Sequence, residues 1–243
     1  MAFGTIGNWA SSPWVFDGYN TAIVFHDFKQ DHGPGQSSHD DAVIRRYEDV
    51  NVARDGSDPT IPSHLILNKD NGWLYIVDIG NDRVIRMNTA TGSFSSNLTG
   101  YESVAEYATY MGVEQETVVD TGLEQPCGID IIEDRMIVSD YANGDIRLYD
   151  ISETPASYLG KIETGVTGIT GVKIGPEGNI WYANRLTNEV LKIEPENSLG
   201  IIENNFGEGL LVFPNPTDGN FSIDLGNNYQ TVTISMTDLN GKL

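Results

Sequence analysis

Apolar residues along this chain come in short runs, and the runs are grouped. Ser63–Asn88 reads SHLILNKDNGWLYIVDIGNDRVIRMN. It holds an apolar run at Leu65–Leu67, a polar turn, a second run ending at Asp78, a Gly/Asn turn, and a third run opening at Val84. Cys127–Asp150 and Thr170–Pro195 follow the same plan, with second runs ending at Asp140 and Asn184 and third runs opening at Ile146 and Val190. From polar marker to first apolar residue the offset is six in all three. A weaker copy lies upstream: one run ends at Asp27, the next opens at Val43, and Phe28–His39 is inserted between them. Runs that alternate or are wholly apolar suit strands covered on one or both faces.

The marker carboxylate or amide can accept from nearby backbone donors and fix a turn. Gly80, Gly144, Asn81, Asn143 and Asn188 tolerate the φ values such turns need. These polar residues therefore read as structural. Repeats at this spacing predict an all-β protein built of propeller blades, about four of them. One segment breaks the rhythm. ESVAEYATYMGVE places Val104, Tyr107, Ala108 and Met111 at i, i+3, i+4 and i+7, which predicts a helix between the second and third of the four copies. After Glu203 the pattern changes again. NNFGEG reads as a linker, and LLVFPNP, NFSIDLG and QTVTISMTDLNGKL read as short strands between Pro-Asn-Pro, Asp-Gly and Gly-Asn-Asn turns, the start of a β-sandwich. The expected division is 1–203 for the blades, 204–209 for the linker and 210–243 for the tail.

Charge narrows the function classes. The formal net charge is −21, which repels nucleic acid and anionic membranes and suits a solvated, exported protein. The lone cysteine, Cys127, excludes an internal disulfide. No run approaches the ~18 apolar residues of a membrane helix. MAFGTIGNWASSPW has neither a basic n-region nor an apolar h-region and does not read as a signal peptide; either the ring is unusually small or, as the absent leader favours, the chain is incomplete at its N-terminus.

Two resemblances follow from these residues. Pro62, Leu74–Asp78, Asn81 and Arg83-Val84 stand where an NHL repeat has its proline, its strand and its D..N.R pattern, and Pro126, Asp140 and Asn143 repeat the match. The resemblance covers about 20–203 and implies a propeller, usually of six blades, whose relatives include binding platforms, lyases and lactonases. Phe213-Pro214-Asn215-Pro216, Asp218-Gly219, Phe221–Ile223 and then Asp238 and Gly241 resemble the C-terminal sorting domain of the type IX secretion system of Bacteroidota. This implies a secreted or outer-surface protein whose tail partners the type IX machinery. That domain normally continues beyond Leu243, so the chain reads as incomplete there too.

Candidate chemistry is sparse. His26, Asp27, Asp31, His32, His39 and Asp40 crowd the segment from His26 to Asp41, the insertion with its flanks, which holds three of the four histidines, and imidazole with carboxylate suits a divalent metal, zinc or calcium. His64, Cys127 and Thr170 share a repeat position at the start of a blade's first strand. Amidating lyases of similar architecture place zinc-binding histidines there, but two of these three residues do not match. The expectation is a ligand- or protein-binding propeller with an unknown protein or carbohydrate ligand and no catalytic residues. The alternative is a metal-dependent lyase or lactonase with an axial site.

Overall fold

Glycine-rich turns and short apolar runs fold here into strands. The computed structural model describes residues 2–5, 11–29, 39–100, 102–194, 211–213 and 222–224, and two single-turn 3-10 segments at Ile79–Asn81 and Pro176–Gly178 are the helical pieces among them. The first sheet opens as an antiparallel meander of β1 (Ala2–Thr5), β2 (Ser11–Asp17), β3 (Ala22–Asp27) and β4 (Val43–Tyr47). The second begins with β5 (Leu65–Asn68), β6 (Trp73–Asp78) and β7 (Arg83–Asn88). The chain then returns to the first sheet as a hairpin, β8 (Ser93–Asn97) and β9 (Glu106–Met111), before β10 (Gln115–Val119) closes the second sheet beside β7. The third sheet is β11 (Pro126–Ile132), β12 (Arg135–Asp140), β13 (Asp145–Asp150) and β14 (Ser157–Glu163). The fourth is β15 (Ile169–Ile174), β16 (Ile180–Asn184) and β17 (Glu189–Ile193).

Successive sheets stack face to face like propeller blades. Ile23, Tyr47, Leu74, Ile76 and Met87 fill the first interface, Tyr75, Val77, Val138 and Tyr149 the second, and Ile137, Ile146, Val172 and Tyr182 the third. In β6, Leu74 and Ile76 serve the first interface while Tyr75 and Val77 serve the second, and all four are fully buried. That is why the strand is apolar without alternation: both of its faces are inside. Each such side chain contributes about 1.5–3 kcal/mol of transfer free energy.

The predicted helix is β9, and this is a correction. Val104, Tyr107, Ala108 and Met111 satisfy a helical spacing, but Glu106–Met111 is rich in Tyr and Thr, and β4 presents an unpaired edge. β9 joins that edge in parallel, from Val43 opposite Glu106 to Tyr47 opposite Tyr110. Side chains fix the register: Arg45 Nε donates to Glu106 Oε1 at 2.8 Å, and Arg46 Nη2 donates to the Tyr107 hydroxyl at 2.9 Å.

The upstream marker also moves. Asp27 ends a third strand, β3, so the insertion after it joins the third and fourth strands of its sheet. The topological equivalent of Asp78, Asp140 and Asn184 is Asp17, at the end of β2, and the apolar residue six positions on is the fully buried Ile23. The four turns share their backbone. The residue four past each marker has positive φ: Thr21 at 52°, Asp82 at 52°, Gly144 at 77° and Asn188 at 57°.

The chain divides into two compact units, Met1–Glu194 and Pro195–Leu243. Within the second, β18 (Leu211–Phe213) and β19 (Ser222–Asp224) pair antiparallel. The rest of the expected sandwich lies outside the described residues.

Candidate functional site

The inner edge of the blades brings His64, Cys127 and Thr170 together. His64 N–H donates to Cys127 O at 3.1 Å, and its own carbonyl accepts from Val77 N–H at 2.9 Å. The Cys127 thiol has two acceptors in reach, Pro62 O at 3.0 Å and Thr170 O at 3.3 Å. The thiol is fully buried, and burial pushes its pKa up to about 12. Burial holds the His64 imidazole below its ordinary value. The shared repeat position thus joins the inner strands through backbone and thiol hydrogen bonds.

The linker before β5 crosses to other blades. Ala53 N–H donates to the buried Asp78 carboxylate at 2.8 Å, Gln125 Nε2 donates to Asp55 at 2.9 Å, and Arg185 reaches Asp58 at 3.3 Å and the Thr60 hydroxyl at 2.8 Å. The Ser57 hydroxyl and the Asp58 N–H hold the Asp55 carboxyl at about 2. Asp82 is pushed the other way, raised by burial and by the neighbouring carboxylates of Asp140, Asp55 and Glu124.

Of the metal-ligand candidates, His26, Asp27, His39 and Asp40 are described, while Asp31 and His32 lie outside the described residues. His26 and His39 both pack near Phe28, with ring centroids 6.0 and 5.6 Å from it. His39 Nδ1 lies 3.1 Å from Glu102 Oε1, and Asp27 pairs with Lys29 at 2.5 Å. Among the described residues, no three His, Cys, Asp or Glu side chains converge as a metal site would require.

Two concavities stand out among the described residues. One, of about 430 Å³, lies on the outer face of the first sheet over Val15, Val24 and Ile44, with Asp17, His26, Arg46 and Tyr107 among its polar lining. The Arg46 guanidinium is shared between Asp17 at 3.7 Å and Glu48 at 3.9 Å. The other, of about 290 Å³, lies between the second and third sheets and takes Asp120, Thr121 and Gly122 from the connection after β10 and Arg147, Tyr149 and Tyr158 from β13 and β14. Of the residues lining the first, the sequence reading had singled out His26 and Tyr107; it had singled out none of those lining the second. They come from separate repeats, and no local motif links them.

The fold defines the class: an all-β protein of stacked, propeller-like meander sheets. Residues 211–243 match the family of secretion system C-terminal sorting domains, segments that direct export to the cell surface or the medium. None of the curated proteins matches the chain. Among solved structures it is similar to a luciferin-regenerating enzyme, with 14% identity over 74% of this chain and 53% of that one and a TM-score of 0.40. A candidate 6-phosphogluconolactonase of Bacteroides fragilis NCTC 9343 gives 13% identity over 82% and 55% at TM-score 0.40. A chain of the nidogen/laminin complex gives 12% identity over 74% of each chain at TM-score 0.38. The chain spans about half the length of the first two. No helix among the described residues is long and apolar enough to cross a membrane.

Proposed function

We propose that the protein is exported by the type IX secretion system of a Bacteroidota-like bacterium and acts outside the cell as a ligand-binding propeller of NHL-like blades. The match of residues 211–243 to sorting domains carries the reading. The blades support it: they form a rigid, both-faces-buried scaffold with concavities at and between the sheets, where binding residues are commonly held. A net charge of −21 keeps such a protein soluble and off anionic surfaces.

The test is a reporter carrying an N-terminal secretion signal and residues 195–243 at its C-terminus, expressed in a type IX-competent bacterium. The reporter is expected on the surface or in the medium, and in the periplasm when the type IX translocon is deleted. Periplasmic retention in both strains would rule the proposal out.

A further inference from the structure

We infer that the cleft between the second and third sheets is a binding site for a small uncharged polyol, a sugar ring, a refinement that rests on the binding-module reading above. Its wall is one charge-balanced set. The Arg147 guanidinium and the Asp120 carboxylate both line it, joined by the Thr121 hydroxyl and the Tyr158 ring. Arg147 is only partly satisfied: its Nη2 pairs at 3.7 Å with Asp145, which Lys161 also holds at 3.0 Å, while its Nε is buried with no hydrogen bond. A guanidinium carries five donors in a planar fork, and this single pairing leaves several of them uncommitted. Buried polar atoms are almost always satisfied, so the unpartnered Nε leaves this guanidinium with hydrogen-bonding capacity to spare beside the cleft. Gly122 clears the space. A Cβ there would stand 3.1 Å from Arg147 Nη1, and its φ of +78° is one that side-chain-bearing residues rarely adopt.

Tyr158 supplies the apolar surface. The residue is half exposed at 52%, yet its ring is held in place by edge contact with the buried Tyr149 at 5.7 Å and by the Arg147 guanidinium at 5.8 Å. A fixed aromatic ring beside planar donors and carboxylate and hydroxyl acceptors matches a ligand with C–H faces and many hydroxyls. One cation and one anion in the lining favour no net charge on that ligand, and the protein's charge of −21 opposes an anion. The volume of about 290 Å³ sits at the small end of the ~300–1,000 Å³ usual for ligand pockets, which points to a single ring.

The experiment is ligand-observed NMR and calorimetry on the whole chain with glucose, galactose, mannose, N-acetylglucosamine and galacturonate. At least one neutral sugar is expected to bind with a dissociation constant on the order of 1 mM, with galacturonate weaker. Tyr158→Ala and Asp120→Asn, both at exposed positions, should each weaken it by about tenfold, as should Arg147→Gln in protein shown by thermal melting to be folded. Binding that all three variants leave unchanged would overturn the site while leaving a binding module standing. Preferred binding of galacturonate would overturn the charge argument. No binding by any of the five sugars would overturn the inference, and the outcome of the export experiment is independent of all these results.

Discussion

Asp140 and Asp17 occupy the same place in the repeat but carry different loads. The Asp140 carboxylate is fully buried and accepts from Glu124 N–H at 2.8 Å, Gln125 N–H at 3.2 Å and Ala142 N–H at 3.2 Å, tying the linker before β11 to the turn after β12. Asp17 accepts from Tyr19 N–H at 3.0 Å and Asn20 N–H at 3.2 Å within its own exposed turn. Asp140→Ala strands three part-buried donors and is expected to cost about 3 kcal/mol, or about 6–12 °C of melting temperature, whereas Asp17→Ala should cost under about 1 kcal/mol. Equal losses in thermal denaturation would contradict the assignment. Cys127 gives a second test. Burial holds its thiol at about 12 in the folded protein, while an unfolded thiol ionises near ~8.5. The unfolded state therefore releases its proton first as pH rises. This contribution to stability is intact below ~8.5 and is lost progressively as pH climbs toward 12. Cys127→Ala should flatten the alkaline part of a stability-versus-pH curve, and native protein should resist thiol reagents at pH ~8 until it unfolds. Rapid labelling of the folded protein would show that the thiol is not sealed in.

At the scale of elements, the turns and the hairpin show what was legible in the chain. The six-residue offset was readable at Asp78, Asp140 and Asn184 because each marker opens a compact turn. It was equally present from Asp17 to Ile23, but Asp27 and the acidic, histidine-rich insertion after it drew the alignment one strand too far. β9 was misread because Tyr107, Ala108 and Met111 fit a helix as well as a strand. What decides between them is the open edge of β4, contributed by residues some sixty positions earlier. The sugar cleft was not legible for a similar reason: Asp120 and Tyr158 meet only once the second and third sheets stack. The turns can be tested directly. Gly144 has φ +77°, and a Cβ there would lie 1.9 Å from Val166 O, while Gly72, at φ +74°, faces open space. Gly72→Ala should cost about 1–2 kcal/mol for the left-handed backbone alone, and Gly144→Ala at least about 3 kcal/mol because backbone must also move. Comparable melting temperatures for the two variants would mean that the turn is not packed as described.

At the scale of the whole molecule, the two units divide the work. The blades carry their own three buried interfaces, all within Met1–Glu194. The sorting match falls within Pro195–Leu243. A protein made of residues 1–194 should therefore unfold cooperatively within about 3 °C of the full chain. A broad or much lower transition would show that the second unit is needed to complete the first. The proposal that unites the two units is that the blades act outside the cell because the tail takes them there. Its most direct measurement is fractionation of a type IX-competent host expressing the protein behind an N-terminal secretion signal, with and without residues 211–243, with antibody against the blades and protease added to intact cells. The account predicts blades in the medium or cleaved at the surface when the tail is present, and blades protected inside the cell when it is removed. Protected blades in both strains, or exported blades in both, would contradict it.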